Sequence, residues 1–229
     1  MANPIQLAAP KADFTLTIDG AQALTLDLVG RVTATCGTVE DADHGDTLLV
    51  RLGAHTEAAA QRHQPPANVH LVNKWERALR RLERLPVATV AVATGSCHGP
   101  SAETLLATDY RIAGTDLRLR LPETGQSTWP GMAIYRLAQQ LGVARARQIA
   151  LFGPELSAWQ ALELGLVDEV AEDPQTALRA ALDNLAGARG RDVAVRRRLL
   201  MDAASTDFEE ALGPHLAACD RALRRTQVA

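Results

Sequence analysis

The chain has 229 residues, of which 47% are hydrophobic and only 3% aromatic. That length and apolar content support a substantial core in one large domain or two small ones, and they exclude a disordered chain. With 24 basic and 27 acidic residues the formal net charge is -3, so the electrostatic ground for binding nucleic acid, a strongly basic surface, is missing.

Cys36, Cys97 and Cys219 lie far apart and form no CxxC pair. This spacing argues against a disulfide framework or a zinc site and for a reducing cytoplasm. The opening Met1-Ala2-Asn3-Pro4 lacks a basic start followed by an apolar stretch, so no signal peptide is expected. The longest apolar run, around Leu85 to Ala93, is too short to cross a bilayer. A soluble, cytoplasmic protein without a membrane partner is the expectation.

Along the chain, Phe14 to Ile18 alternates as a half-buried strand does, and Asp19-Gly20 follows as a turn. Leu24 to Leu28 offers a second strand of the same pattern, and Thr47 to Leu52 reads as a short buried strand closed by Gly53. The polar stretch from His55 to Asn68, with Pro65-Pro66, predicts irregular structure. From Val69 the period becomes helical: Leu71, Trp75, Leu79, Leu82 and Leu85 form one stripe until Pro86. Val87 to Ala93 is a continuous apolar run, as in a strand buried on both faces. A glycine-containing turn, Gly95 to Gly99, leads to a helical pattern over Ala102 to Thr108, and Leu117 to Leu121 alternates again. Beyond Gly131 the pattern is mostly helical, with a break at Gly153-Pro154 and a cap at Gly165. The whole reads as an α/β fold with a helical C-terminal region.

The turn from Thr94 to Ser101 joins a buried strand to a helix, where unpaired N–H groups and the helix dipole can hold an oxyanion or a phosphate. Two carboxylates stand near it. Glu103 lies in the first turn of the following helix, and Glu123 follows a strand in Leu121-Pro122-Glu123. Converging in a dry cleft, such a pair can divide into an acid and a base. On the residues alone, the simpler reading stands first: Glu103 complements the helix dipole and Glu123 is a solvated loop charge.

From Leu85 to Val170 the sequence resembles the core of the crotonase (enoyl-CoA hydratase/isomerase) superfamily. The resemblance rests on Leu85-Pro86-Val87 running to Gly95, on Gly99-Pro100-Ser101-Ala102-Glu103, and on Asp109-Tyr110-Arg111-Ile112-Ala113. It continues through Leu121-Pro122-Glu123, Trp129-Pro130-Gly131 and Ala161 to Val170, in the family's order and spacing. It implies a spiral of ββα turns forming two stacked sheets. Residues 1–170 would form an acyl-CoA-binding core and residues 171–229 a helical trimerisation region. It also implies that Glu103 and Glu123 are the two catalytic glutamates, exchanging protons at the two carbons beside a thioester. Gly53, Ala54, Gly99, Pro100 and Ser101 take the oxyanion and thioester-binding positions, and His98, Trp129 and Gly131 face the substrate. No cofactor or metal is expected, coenzyme A being part of the substrate.

Two departures stand out. Pro100 occupies a position where the family uses a backbone N–H, which proline lacks. Leu52-Gly53-Ala54-His55 does not match the family's A-G-A-D stretch. The segment Asn73 to Glu83 and the turn Trp129-Pro130-Gly131-Met132 resemble the DpgB-type subfamily of 3,5-dihydroxyphenylglycine biosynthesis. That resemblance implies a cyclised polyketide on coenzyme A, dehydrated toward 3,5-dihydroxyphenylacetyl-CoA. It also implies a functional link to a type III polyketide synthase and a homotrimer or hexamer, or an assembly mixed with a related homologue. Alternatives on the same scaffold are a non-catalytic partner that enhances such a synthase, and thioester hydrolysis or isomerisation. Cys97 is expected as a small filler. Arg80, Arg81 and Arg84 read either as a solvated helix face or as contacts for coenzyme A phosphates.

Overall fold

A computed structural model of the protein describes residues 12–43, 47–53, 68–121, 123–124, 127–128, 131–185 and 191–228. The order is β1 (Phe14–Ile18), α1 (Leu26–Asp41), β2 (Thr47–Leu52), α2 (Val69–Leu82), β3 (Ala88–Ala93), β4 (Ser96–His98) and α3 (Pro100–Leu106). Next come β5 (Tyr110–Gly114), β6 (Arg118–Arg120), β7 (Glu123–Thr124), β8 (Ser127–Thr128) and α4 (Met132–Phe152). The chain continues as β9 (Leu156–Ser157), α5 (Ala158–Leu164), β10 (Glu169–Ala171), α6 (Pro174–Leu185), α7 (Arg191–Ala203) and α8 (Phe208–Val228).

Five strands form one parallel sheet in the order β1-β2-β3-β5-β10. A second, smaller sheet holds β4-β6-β9, with β4 and β6 parallel. The chain passes from the large sheet to the small one and back through a helix, as in β3-β4-α3, so the expected ββα spiral is present. β3 (ATVAVA) is buried along its whole length because both faces are covered. Ala91 and Ala93 join the main core, while Val90 and Val92 face the other way, against Leu178 and Leu182 of α6. Period-two alternation in an all-apolar strand thus feeds two cores at once.

Residues Leu24 to Leu28 are not a strand. Thr25 caps α1, its side chain accepting from the N–H of Leu28 at 3.1 Å. Leu28, Val29, Val32, Cys36 and Val39 then fall on one buried helical face. The alternation of Leu24, Leu26 and Leu28 was too short to outweigh this 3.6-residue period. Ser96 to His98, expected within a turn, form a short strand against Arg118 to Arg120. The expected break and cap are both present: Gly153 and Gly165 end α4 and α5 in the left-handed conformation.

Arg197 anchors α7. It donates to the carbonyls of Leu85 (2.6 Å) and Val87 (2.7 Å) and pairs with Asp109. Leu200 of α7 and Phe208 and Leu216 of α8 remain exposed.

Candidate active site

Three loops meet at the C-terminal ends of β1, β2 and β3, the edge where ligands bind in parallel α/β sheets. A Cβ at Gly20 would lie 1.7 Å from the carbonyl oxygen of Ser96, and one at Gly53 1.7 Å from that of Thr94. Gly53 also has φ +87°, so this crossing admits only glycine. The N–H of Gly53 donates to the Ile18 carbonyl at 3.2 Å. Gly53 therefore shapes the turn, and its own N–H is engaged within the fold. Ala54 lies outside the described residues.

Gly99, at φ +58°, turns the chain into α3, whose seven residues are all buried. Pro100 stands at the first helical position and no side chain caps this end. The first closed intrahelical bond runs from the N–H of Glu103 to the Gly99 carbonyl at 3.0 Å. By position, the N–H groups of Ser101 and Ala102 have no intrahelical acceptor. The Ser101 hydroxyl bonds the carbonyls of Gly20 (2.9 Å) and His98 (2.8 Å), tying the β1 turn to α3. It is a structural group. The His98 N–H also reaches Gly20, at 2.9 Å, and the half-buried His98 lies on the opposite side of β4 from the buried Cys97. Burial pushes the Cys97 thiol up to about 12, so it is an inert filler.

Glu103 is 3% exposed. Its Oε2 accepts from the indole N–H of Trp75 at 2.7 Å. Its Oε1 is buried with no hydrogen-bond partner among the described residues. Its pKa is raised to about 7: burial pushes it up, the Trp75 bond opposes this, and the smaller effects of Glu76 and Arg136 raise and lower it respectively. Arg136 itself is buried between Glu76 (2.8 Å) and Glu83. Glu76 also accepts from the N–H of Met132, at 3.3 Å, just after Gly131 caps α4. Trp75 and Glu76 of α2 and Arg136 of α4 thus act on the carboxyl of α3, with Glu83, just after α2, holding Arg136. Sequence reasoning placed Trp75 only in a core stripe and did not single out Glu76, Glu83 or Arg136. Two carboxylates seven residues apart on the border of an apolar stripe were the available signal for a buried cation.

The backbone of Glu123 lies in the β7–β8 hairpin, paired with Thr128; its side chain and Trp129 lie outside what is described. An apolar cavity beside α3 is lined by Ala102, Leu106, Leu119, Leu121 and Leu137, among others. Ala102 immediately precedes Glu103, and Leu121 stands two residues before Glu123. Arg81 is engaged with Glu40 of α1 and Arg80 with Glu83. Of the two readings of this cluster, a helix face or contacts for coenzyme A phosphates, these two arginines form ion pairs within the fold. Among the described residues no cluster of His, Cys, Asp or Glu could hold a metal ion, and no helix is long and apolar enough to cross a membrane.

A parallel ββα spiral with a buried carboxyl at a strand-to-helix turn fits the crotonase class that the sequence resembles. Residues 52–227 match the family model "Enoyl-CoA hydratase/isomerase". An "Enoyl-CoA-hydratase" from Amycolatopsis orientalis is 43% identical over 213 residues, covering 93% of this chain and 97% of that protein. Two solved structures share the fold. An enoyl-CoA hydratase from Mycobacterium smegmatis has a TM-score of 0.78 at 19% identity, over 91% of this chain and 86% of that one. An enoyl-CoA hydratase/isomerase from Marinobacter aquaeolei has a TM-score of 0.77 at 20% identity, over 92% and 87%. The chain belongs to the enoyl-CoA hydratase/isomerase family and is an enzyme of that type.

Proposed function

We propose that the protein dehydrates a polyketide-derived coenzyme A thioester, in the direction of 3,5-dihydroxyphenylacetyl-CoA, with Glu103 and Glu123 as its two proton-transfer groups. One observation carries the reading: a buried carboxyl whose pKa is raised to about 7, with one oxygen tied down and the other without a partner among the described residues. Such a group can give or take a proton at little cost, as general acid–base catalysis requires. One carboxylate removes the proton from the carbon next to the thioester carbonyl. The other protonates the hydroxyl on the next carbon, which leaves as water while the carbon–carbon double bond forms. Charge gathers on the thioester oxygen in this step, so N–H donors must meet it. Pro100 supplies none and the Gly53 N–H is engaged with Ile18, so among the described residues Gly99, Ser101 and Ala102 at the start of α3 are the candidates. Coenzyme A arrives with the substrate and no further cofactor is used.

The resemblance of Asn73 to Glu83 to the dihydroxyphenylglycine subfamily supports the choice of substrate and the link to a type III polyketide synthase. The exposed Leu200, Phe208 and Leu216 of the C-terminal helices support a homotrimer or hexamer, and the reading places the enzyme in the cytoplasm. A mixed assembly with a homologue would use the same surface.

The test is product analysis by mass spectrometry with a type III synthase and malonyl-CoA. It compares no addition, wild type, Glu103→Gln and Glu123→Ala. Wild type should raise the aromatic product, and Glu103→Gln should slow its formation by about 10²–10⁴-fold. Equal enhancement by wild type and both variants would show a scaffold that aids the synthase without proton transfer.

A further inference from the structure

Oε2 of Glu103 meets the indole N–H of Trp75 at 2.7 Å, in a place where water does not compete: Trp75 is 1% exposed. An indole N–H donates and cannot accept. Oε2 is therefore the accepting oxygen in both protonation states. The hydroxyl oxygen of a neutral carboxyl accepts more weakly than its carbonyl oxygen, so this bond favours the neutral form that carries its proton on Oε1. Oε1 is the oxygen with no partner among the described residues.

The charged groups around the carboxyl do not compete for that proton. Arg136 is held by Glu76 and Glu83, and Glu83 also binds Arg80 at 2.9 Å. Arg136 acts on Glu103 through its field and makes no bond to it.

The geometry points to Trp75 as a positioning residue for Glu103, its indole N–H holding the carboxyl in one orientation and directing the exchangeable proton to Oε1. The inference rests on the role proposed for Glu103 and adds which oxygen exchanges the proton and what selects it.

Two measurements test it. The chain has three tryptophans, and the indole N–H resonance of Trp75 is identified by its loss in Trp75→Phe. In wild type that resonance should move with pH through a single transition, and in Glu103→Gln it should stay flat. This readout needs no turnover. In the hydration of crotonyl-CoA, Trp75→Phe removes a donor to the ionised carboxyl. The Glu103 limb of the pH profile should therefore move up by about one unit. The loss should fall on kcat, about tenfold or more, with KM changed by less than about twofold. An indole resonance indifferent to pH overturns the contact. A pH limb that stays in place in Trp75→Phe overturns the positioning role. Full activity of Glu103→Gln overturns the reading of the reaction and the proposal with it, and the titrating indole then separates that failure from a missing contact.

Discussion

The two ends of α3 treat buried polar groups in opposite ways. At the C-terminal end, Arg111 donates to the carbonyls of Leu106 (3.0 Å), Thr108 (3.0 Å) and Leu166 (3.3 Å). Gln140 of α4 adds a bond to Leu106 at 2.8 Å. Burial disfavours the Arg111 charge, and Asp168, Asp109 and Glu83 offset part of that penalty. At the N-terminal end, Pro100 removes a donor, and among the described residues no side chain caps the helix and one oxygen of Glu103 has no partner. Buried polar atoms are nearly always matched, so a mismatch points to function. The satisfied end holds the fold, and the unsatisfied end is where the proposed proton transfer would take place.

The largest effect should come from breaking the satisfied end. Arg111→Met takes the guanidinium from three buried carbonyls, of which, among the described residues, only Leu106 keeps a second donor in Gln140, at a cost of about 3–5 kcal/mol. Urea unfolding should show that loss as a lower midpoint at unchanged slope. A loss below about 1 kcal/mol would mean that water replaces the guanidinium and that the contrast between the two ends is false.

The next effect concerns the unsatisfied end, and its sign is opposite. The Glu103 pKa rises from 4.5 unfolded to about 7 folded, so the folded protein binds the proton more tightly. Its contribution to stability is complete below about pH 4.5 and is lost as pH rises through 7, by at most about 3 kcal/mol. Glu103→Gln should flatten this part of the stability–pH curve and match or exceed wild type at pH 8, while losing activity. Wild type and variant curves that run parallel from pH 4.5 to 8 would show that the carboxyl is not strained by burial.

Much of this contrast was legible in the sequence. The Val87 to Ala93 run announced a doubly covered strand, and the family spacing placed Glu103 in the first turn of α3. Pro100 advertised its missing donor. What escaped were partners set by tertiary structure: Trp75 is 28 positions from Glu103, and Arg136 is 53 from Glu83. A helical stripe tells that Trp75 is buried and cannot tell where its N–H points. The helix α1 escaped for a local reason, since Thr25 and Leu28 form a cap that a five-residue alternation conceals.

The smallest effect tests whether burial, rather than the number of bonds, decides the cost at these arginines. Arg81 also makes three bonds or more, to both oxygens of Glu40 and to the Thr33 carbonyl at 3.2 Å, and it joins α2 to α1. Its side chain and that of Glu40 are each 37% exposed. Water therefore solvates both groups when the pair breaks, and long side chains regain their freedom. Arg81→Gln should cost only about 0.5–1 kcal/mol by urea unfolding, several-fold less than Arg111→Met. The bond to Arg81 holds the Glu40 carboxyl below its usual range. Its small contribution is present above the unfolded pKa and lost as pH falls through the folded one, and it should fade with added salt. Were Arg81→Gln as costly as Arg111→Met, bond count would govern both sites, and the open oxygen of Glu103 would lose its meaning as a mark of function.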